Sequence, residues 1–253
     1  MELVGILVFF VLGAFAGAFD NLVVYRYSRG NTLFFPKKSR CEICKHDLSL
    51  ADMIPIAGYL IHGGKCHYCD QKISKRHPIL ETVTAVLFVL LFLQYGWSLK
   101  TFAGCVMICA LMINLLSDMQ YGKVYSFVTF TALAVGLLCS GFIGVGLASS
   151  LFGIGIFAFL YAIIYFFSKG TMGGGDVQIA AIIGAFAGIP GVFLTFVLSS
   201  FMAAVGAVIL MLFFRNRDRS RLKFSPFLVV SGFIAYTYTV ELMNLYASIF
   251  PAS

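Results

Sequence analysis

Two sets of side chains in this sequence are spaced for chemistry. The first is a pair of Cys-x2-Cys units, Cys41/Cys44 and Cys66/Cys69, with 21 residues between them. Two such turns joined by a loop are what four thiolates need to surround one Zn²⁺ tetrahedrally. Four thiolates leave no coordination position for water, so such a metal is structural and not catalytic. Two disulfides or redox-active pairs are the alternatives. The second set is two carboxylates at the borders of apolar runs. Asp118 follows Ile113-Asn114-Leu115-Leu116-Ser117, and Asp176 follows Gly173-Gly174-Gly175 and precedes Val177-Gln178-Ile179. A carboxylate at a membrane border is costly unless something needs it there.

Paired aspartates suit peptide hydrolysis. One ionised carboxylate activates water while its protonated partner donates to the carbonyl, and close spacing makes the two share a proton. A second reading stays open: Asp176 could cap the helix that follows it, and Asp118 could be an ordinary residue at a helix-loop junction. The three glycines before Asp176 permit positive φ and close approach of an extended substrate, so a valine at Gly174 is expected to impair cleavage. No Gly-Lys-Ser/Thr follows them, which removes a phosphate-binding loop.

These residues need a scaffold that holds them at one depth, and the composition says what kind. Of 253 residues, 60% are hydrophobic and 11% charged, with a mean hydropathy of +0.94. A soluble domain is excluded in favour of an all-α polytopic membrane protein. With about 20 apolar residues per crossing, the spans fall at 3–24, 79–96, 101–117, 124–142, 145–167, 177–192, 193–214 and 226–247. That is about eight, with a tight turn at Gly188-Ile189-Pro190-Gly191. Seven spans with one re-entrant piece is the alternative. The chain divides into a first helix at 1–24, a cytoplasmic four-cysteine insert at 25–78 and a seven-helix core at 79–250.

The net charge of +7 is not a nucleic-acid signal, because of where the charges fall. Ten of the 18 Lys and Arg lie between Arg26 and Arg76, and five between Arg215 and Lys223. Lys123 and Lys169 sit in short loops. Eight spans place all of these on one side and leave Lys100 opposite, which makes the basic side cytoplasmic. The basic loops are expected to meet anionic lipid headgroups. Residues 1–24 lack a basic n-region, which favours a retained helix over a cleaved signal peptide.

Other polar residues read more plainly. His46, His62, His67 and His77 are expected at the surface or behind the metal ligands. Asp47, Asp52 and Asp70 read as loop carboxylates or caps. Cys105, Cys109 and Cys139 lie in apolar runs and are expected to pack. Asp20 and Asn21 fall near the cytoplasmic end of the first helix. Glu81, after Pro78-Ile79-Leu80, can pair with Arg76 or His77.

At this point the motifs converge. The chain resembles the bacterial type IV prepilin peptidases, membrane aspartyl proteases with a glycine-rich Gly-x-Gly-Asp motif. The resemblance runs through Gly17-Ala18-Phe19-Asp20-Asn21-Leu22-Val23-Val24-Tyr25-Arg26, Ser39-Arg40-Cys41-Glu42-Ile43-Cys44 and Gly64-Lys65-Cys66-His67-Tyr68-Cys69. It continues in Lys75-Arg76-His77-Pro78-Ile79-Leu80-Glu81, Gly173-Gly174-Gly175-Asp176-Val177 and Ser225-Pro226-Phe227-Leu228. It implies that Asp118 and Asp176 are catalytic and that the site faces the cytoplasm of a bacterial inner membrane. The implied substrates are membrane-anchored prepilins or pseudopilins, cut after the glycine of a basic leader. It further implies methylation of the new N-terminus from S-adenosylmethionine. On charge grounds Glu81, and then Asp20, are the carboxylates that could hold the donor's sulfonium.

Two departures stand out. Val124-Tyr125-Ser126 replaces the family's Ile-Pro-Asp segment, and Ser225 stands where glycine is common. A leader peptidase without methyl transfer, or a cation-coupled transporter using the two aspartates, are the rival functions. Transport would favour polar groups at mid-membrane over groups near an interface.

Overall fold

The computed structural model describes residues 2–30, 40–41, 43–49, 52–167, 173–213 and 223–249. Ser39, Glu42, Lys169 and the arginines of the 215–221 stretch lie outside the described residues, as do parts of the 25–78 insert. The elements are α1 (Glu2–Ser28), α2 (Ala57–Ile61), α3 (Arg76–Tyr95), α4 (Leu99–Tyr121), α5 (Ser126–Cys139), α6 (Leu147–Phe167), α7 (Gly174–Phe213) and α8 (Ser225–Ile249). No strand occurs among the described residues, only the isolated bridges Arg40–Asp47 and Lys65–Lys72. Among the described residues five helices, α1, α3, α4, α6 and α7, are long and apolar enough to cross a bilayer. The protein is an all-α, multi-pass membrane protein. It consists of two compact units, and the chain passes from one to the other between Trp97 and Ser98.

The first unit is built on α1 and α3, which run antiparallel. A Cβ at Gly13 would lie 2.6 Å from Ala85 Cα, and one at Gly17 2.7 Å from Glu81 Cα. Glycine is what permits backbones this close, and small residues four apart are the usual way helices meet in lipid. Phe9, Phe92 and Trp97 close the far end, with ring centroids 4.9–5.6 Å apart. Asp20 follows Gly13 and Gly17 at helical spacing on the same packed face and is fully buried.

In the second unit α4 is central. Leu111, Met112, Ile113 and Asn114 are consecutive and all buried, so neighbours surround this helix on every side. Ser98 caps its start by accepting from the Thr101 N–H at 3.2 Å. Gly122 ends it in the left-handed region (φ 63°, ψ 24°), with its N–H returned to the Asp118 carbonyl at 3.0 Å. The α4 terminus is thereby fixed where the carboxylate of Asp118 must sit.

The α6–α7 seam allows no side chain where Gly153 meets Gly184. A Cβ on either would come within 2.6 Å of the other's carbonyl oxygen. The break falls in the run Gly188-Ile189-Pro190-Gly191, where the tight turn is expected. Helix geometry fails at Gly188 (φ 62°, ψ −167°), and Pro190 falls in the first turn of the continuing arm. The freed N–H of Ile189 donates to Ser149 Oγ at 3.2 Å. The chain turns back here. Tyr165 and Gly153 of α6 lie against Gly174 and Gly184 of the first arm. Tyr161, between them on α6, meets Ser199 of the second arm at 3.2 Å, so the two expected spans are arms running in opposite directions. Pro190 has no N–H to lose at that position.

Candidate active site and metal centre

Asp118 and Asp176 come together. Asp118 lies in the last turn of α4 and Asp176 occupies the first turn of α7; both are buried, at 8% and 2% exposure. Between them stands Ser225, the first residue of α8. Its Oγ lies 2.8 Å from Asp118 Oδ2 and 2.8 Å from Asp176 Oδ1. Those two carboxylate oxygens are therefore no more than twice that distance apart. Lys223, just before α8, donates to the Asp118 carbonyl oxygen. Its ammonium is also 3.9 Å from Asp118 Oδ2. The free N–H groups at the starts of α7 and α8 add partial positive charge near both carboxylates. Sequence reasoning noted Ser225 only as a departure from glycine and did not single out Lys223. The Ser-Pro pair opening an apolar run was the available signal, since it marks a helix start.

The glycine turn works differently from the expectation. None of Gly173, Gly174 and Gly175 has a positive φ, and Gly174 and Gly175 already belong to α7. Their use is spatial. A Cβ on Gly175 would meet Val124 Cγ2 at 2.3 Å and Asp118 Oδ1 at 3.5 Å. One on Gly174 would meet nothing nearer than Tyr165 at 3.8 Å, an ordinary contact. The sensitive position is thus Gly175 and not Gly174. Gly175→Ala is expected to destabilise by about 1–3 kcal/mol through overpacking on the stiff Val124, while Gly174→Ala stays near wild type. Thermal unfolding of the two variants in detergent measures the contrast, and equal melting would refute it.

A polar chain that the sequence did not reveal crosses the unit one turn inside the aspartates. Asn114 donates to Thr129 Oγ1 at 3.3 Å, and Thr129 donates to Gln178 Oε1 at 2.8 Å. It ties α4, α5 and α7 together beside the pair. Asn114 Oδ1 is buried without a partner, so the network is only partly satisfied.

The four cysteines form a metal-ligand set. Their sulfurs all lie within 4.8 Å of one another, and Cys41 Sγ is 4.0 Å from Cys69 Sγ. Metal–sulfur bonds of about 2.3 Å in a tetrahedron put sulfurs about 3.8 Å apart, so the group fits a metal. The seven cysteines are free, which removes the disulfide reading. Each Cys-x2-Cys turn is built the same way. Cys41 N–H donates to His46 O at 3.0 Å, and Cys66 N–H to Gln71 O at 2.9 Å. Lys45 and Asp70, each following the second cysteine of its turn, take positive φ of 60° and 53°. The Cys44 N–H directed at Cys41 lowers that thiol to about 7, as suits a ligand thiolate.

The nearby histidines stand outside this set. His62 Nε2 meets Asp52 Oδ1 at 3.0 Å, and His46 stacks on Tyr68 at 3.8 Å. Ser49 donates to Asp52 and holds its carboxyl below the usual range. Cys105 is buried and Cys109 and Cys139 are partly so, each on an apolar helix.

Asp20 and Glu81 differ in kind. Glu81 Oε2 accepts the Ile56 N–H at 2.7 Å. Ile56 has φ 62° at the start of α2, so this bond anchors a strained residue of the insert to α3. Asp20 has neither carboxylate oxygen hydrogen-bonded. A buried carboxylate without a partner is rare and calls for an explanation.

Comparison with known proteins gives one consistent answer. Residues 11–95 match the family model described as the bacterial peptidase A24 N-terminal domain, and residues 105–215 that of the type IV leader peptidase family. The border between the compact units lies between these two matches. The chain is 30% identical to the prepilin leader peptidase/N-methyltransferase of Bacillus subtilis (strain 168) over 247 residues, 94% of this chain and 96% of the relative. The enzyme of that name from Neisseria gonorrhoeae is 29% identical, covering 90% of this chain and 88% of its own. That from Pseudomonas aeruginosa is 27% identical, covering 93% and 91%. No solved structure matches significantly. Matched along nearly its whole length by proteins of one kind, this chain belongs to the type IV leader peptidase family and is a peptidase.

Proposed function

We propose that the chain cleaves the basic leader from membrane-anchored prepilins or pseudopilins on the cytoplasmic side of a bacterial inner membrane, and then methylates the new N-terminus. The observation that carries the proteolytic half is the single hydroxyl, Ser225 Oγ, in contact with carboxylates from two different helices. Carboxylates so close share one proton, which is the state hydrolysis needs. The ionised member takes a proton from water as it attacks the scissile carbonyl carbon. The protonated member donates to the carbonyl oxygen, and the amine leaves with a proton. Burial excludes competing water and strengthens these charges. A substrate helix held in the bilayer reaches the site already oriented, which lowers the entropic cost. The basic loops on one side of the sequence support the cytoplasmic placement, and nothing in the charge pattern calls for nucleic acid.

Zinc is the metal that best suits the four cysteines, as a structural ion that folds the insert. S-adenosylmethionine supplies the methyl group when bound. The unpartnered carboxylate of Asp20 fits a group carrying positive charge, and Glu81 is the second candidate. A carboxylate near the acceptor amine can also take the proton released on alkylation. The relatives' shared double name, leader peptidase and N-methyltransferase, favours both activities in one chain.

Glu81→Gln separates these roles. Glutamine keeps an oxygen for the Ile56 N–H, so the insert stays anchored while the charge is lost. Methylation is expected to fall on the order of tenfold, with cleavage within about twofold of wild type. Cleaved substrate incubated with labelled S-adenosylmethionine reads the first, and gel mobility of the prepilin the second. Equal loss of both activities would contradict the assignment. Absence of any label with the unaltered enzyme would leave a peptidase alone.

A further inference from the structure

We propose that Ser225 is a positioning residue that fixes where the shared proton of the aspartate pair resides, with Lys223 deciding its direction. This rests on the assignment of Asp118 and Asp176 as the catalytic pair. A serine hydroxyl carries one proton and so donates to only one of the two carboxylate oxygens it touches at 2.8 Å. The other contact is a hydrogen bond only if that carboxyl is protonated and donates to Ser225 Oγ. The three groups therefore form a directed chain holding one carboxyl proton and one hydroxyl proton.

Two directions are possible by geometry, and the surrounding charge distinguishes them. The Lys223 ammonium donates to the backbone carbonyl of Asp118 and lies 3.9 Å from its Oδ2. Tyr161 of α6 lies within electrostatic range of Asp176 and is hydrogen-bonded with Ser199 at 3.2 Å. Positive charge thus sits beside Asp118. The ordered state is Asp176 carboxylic acid donating to Ser225 Oγ, and Ser225 hydroxyl donating to an ionised Asp118. That prepares Asp118 as the base that takes the water proton and Asp176 as the acid that protonates the carbonyl oxygen. No proton is gained or lost in forming it. Ser225 is well held for the task, since Pro226 follows it in the first turn of α8 and its side chain is buried.

The bridge stabilises the singly protonated pair against both the doubly ionised and the doubly protonated forms. Removing the hydroxyl should therefore narrow the pH range of activity from both sides. The test measures prepilin cleavage by purified full-length Ser225→Ala, Ser225→Gly and Ser225→Thr across pH. For S225A and S225G, kcat is expected to fall on the order of tenfold with KM within about twofold. The acid limb should move up and the alkaline limb down, by about one pH unit in total. S225T, which keeps a hydroxyl, should recover the width. S225G needs less room than serine, so it reports even where alanine disturbs packing. A uniform loss of activity with both limbs unmoved, or failure of S225T to restore the width, overturns the inference. Cleavage by Asp118→Asn or Asp176→Asn overturns the pair and this inference with it. Two inactive asparagine variants beside an unmoved S225A profile overturn this inference alone.

Discussion

Cys66→Ser is expected to cost the insert both its metal and its fold. Cys66 is the most buried of the four ligands, at 4% exposure, and its backbone closes the second turn through the Gln71 carbonyl. Serine neither ionises at neutral pH nor matches sulfur as a soft ligand, so a three-thiolate site remains. Little else holds this segment. Its one helix is five residues long, and its cross-chain pairing is limited to two isolated bridges among the described residues. Metal binding of about 10–16 kcal/mol is then most of what folds such a piece. The unaltered protein should contain about one zinc per chain and the variant much less than one. Limited proteolysis should open the variant between its two cysteine pairs while the helices stay protected. Full folding and activity in wild-type protein stripped of zinc would contradict a structural metal.

Asp118→Asn and Asp176→Asn should each lower cleavage on the order of 10³-fold or more. Asparagine keeps the shape and an acceptor oxygen, so the Ser225 contact can persist on either side. What it removes is the ability to ionise or to carry the shared proton. A pair that acts as a unit fails when either member is lost, and the double variant should be little worse than the singles. Stability should move the other way. Replacing a buried acid by a neutral amide relieves a desolvation cost, so melting in detergent should not fall by more than a few degrees. A variant that loses activity only by unfolding would leave this reasoning without support.

How much of this was legible in the sequence depended on how local the cause was. The cysteine turns were legible because Cys-x2-Cys and its loop fix the ligand geometry within a short stretch. The aspartates were legible as acids bordering apolar runs, where polarity has a price that pattern alone exposes. Ser225 was not, because it meets Asp118 across 107 residues of chain, and only the packing of α8 brings it there. The glycines before Asp176 were credited with unusual dihedrals, whereas their helical backbone needs absence of bulk against Val124. The break at Gly188 was legible because glycine and proline cluster in Gly188-Ile189-Pro190-Gly191, and its first residue takes the non-helical dihedrals. The partner of Glu81 was missed because a backbone N–H, unlike Arg76 or His77, carries no label in a sequence. Nor does the apolar pattern of α3 say which helix it packs against. The close approach to α1 at Gly13 and Gly17 does.

The central claim is that Asp118 and Asp176 together cut a prepilin leader. The most direct measurement is intact-mass spectrometry of a detergent-reconstituted prepilin after incubation with the purified chain, run in parallel with D118N and D176N. The unaltered enzyme is expected to release the whole leader by cutting after its terminal glycine, and both variants to leave the substrate at full mass. Full-length substrate after incubation with the unaltered enzyme, or mature product from either variant at the unaltered rate, would contradict it.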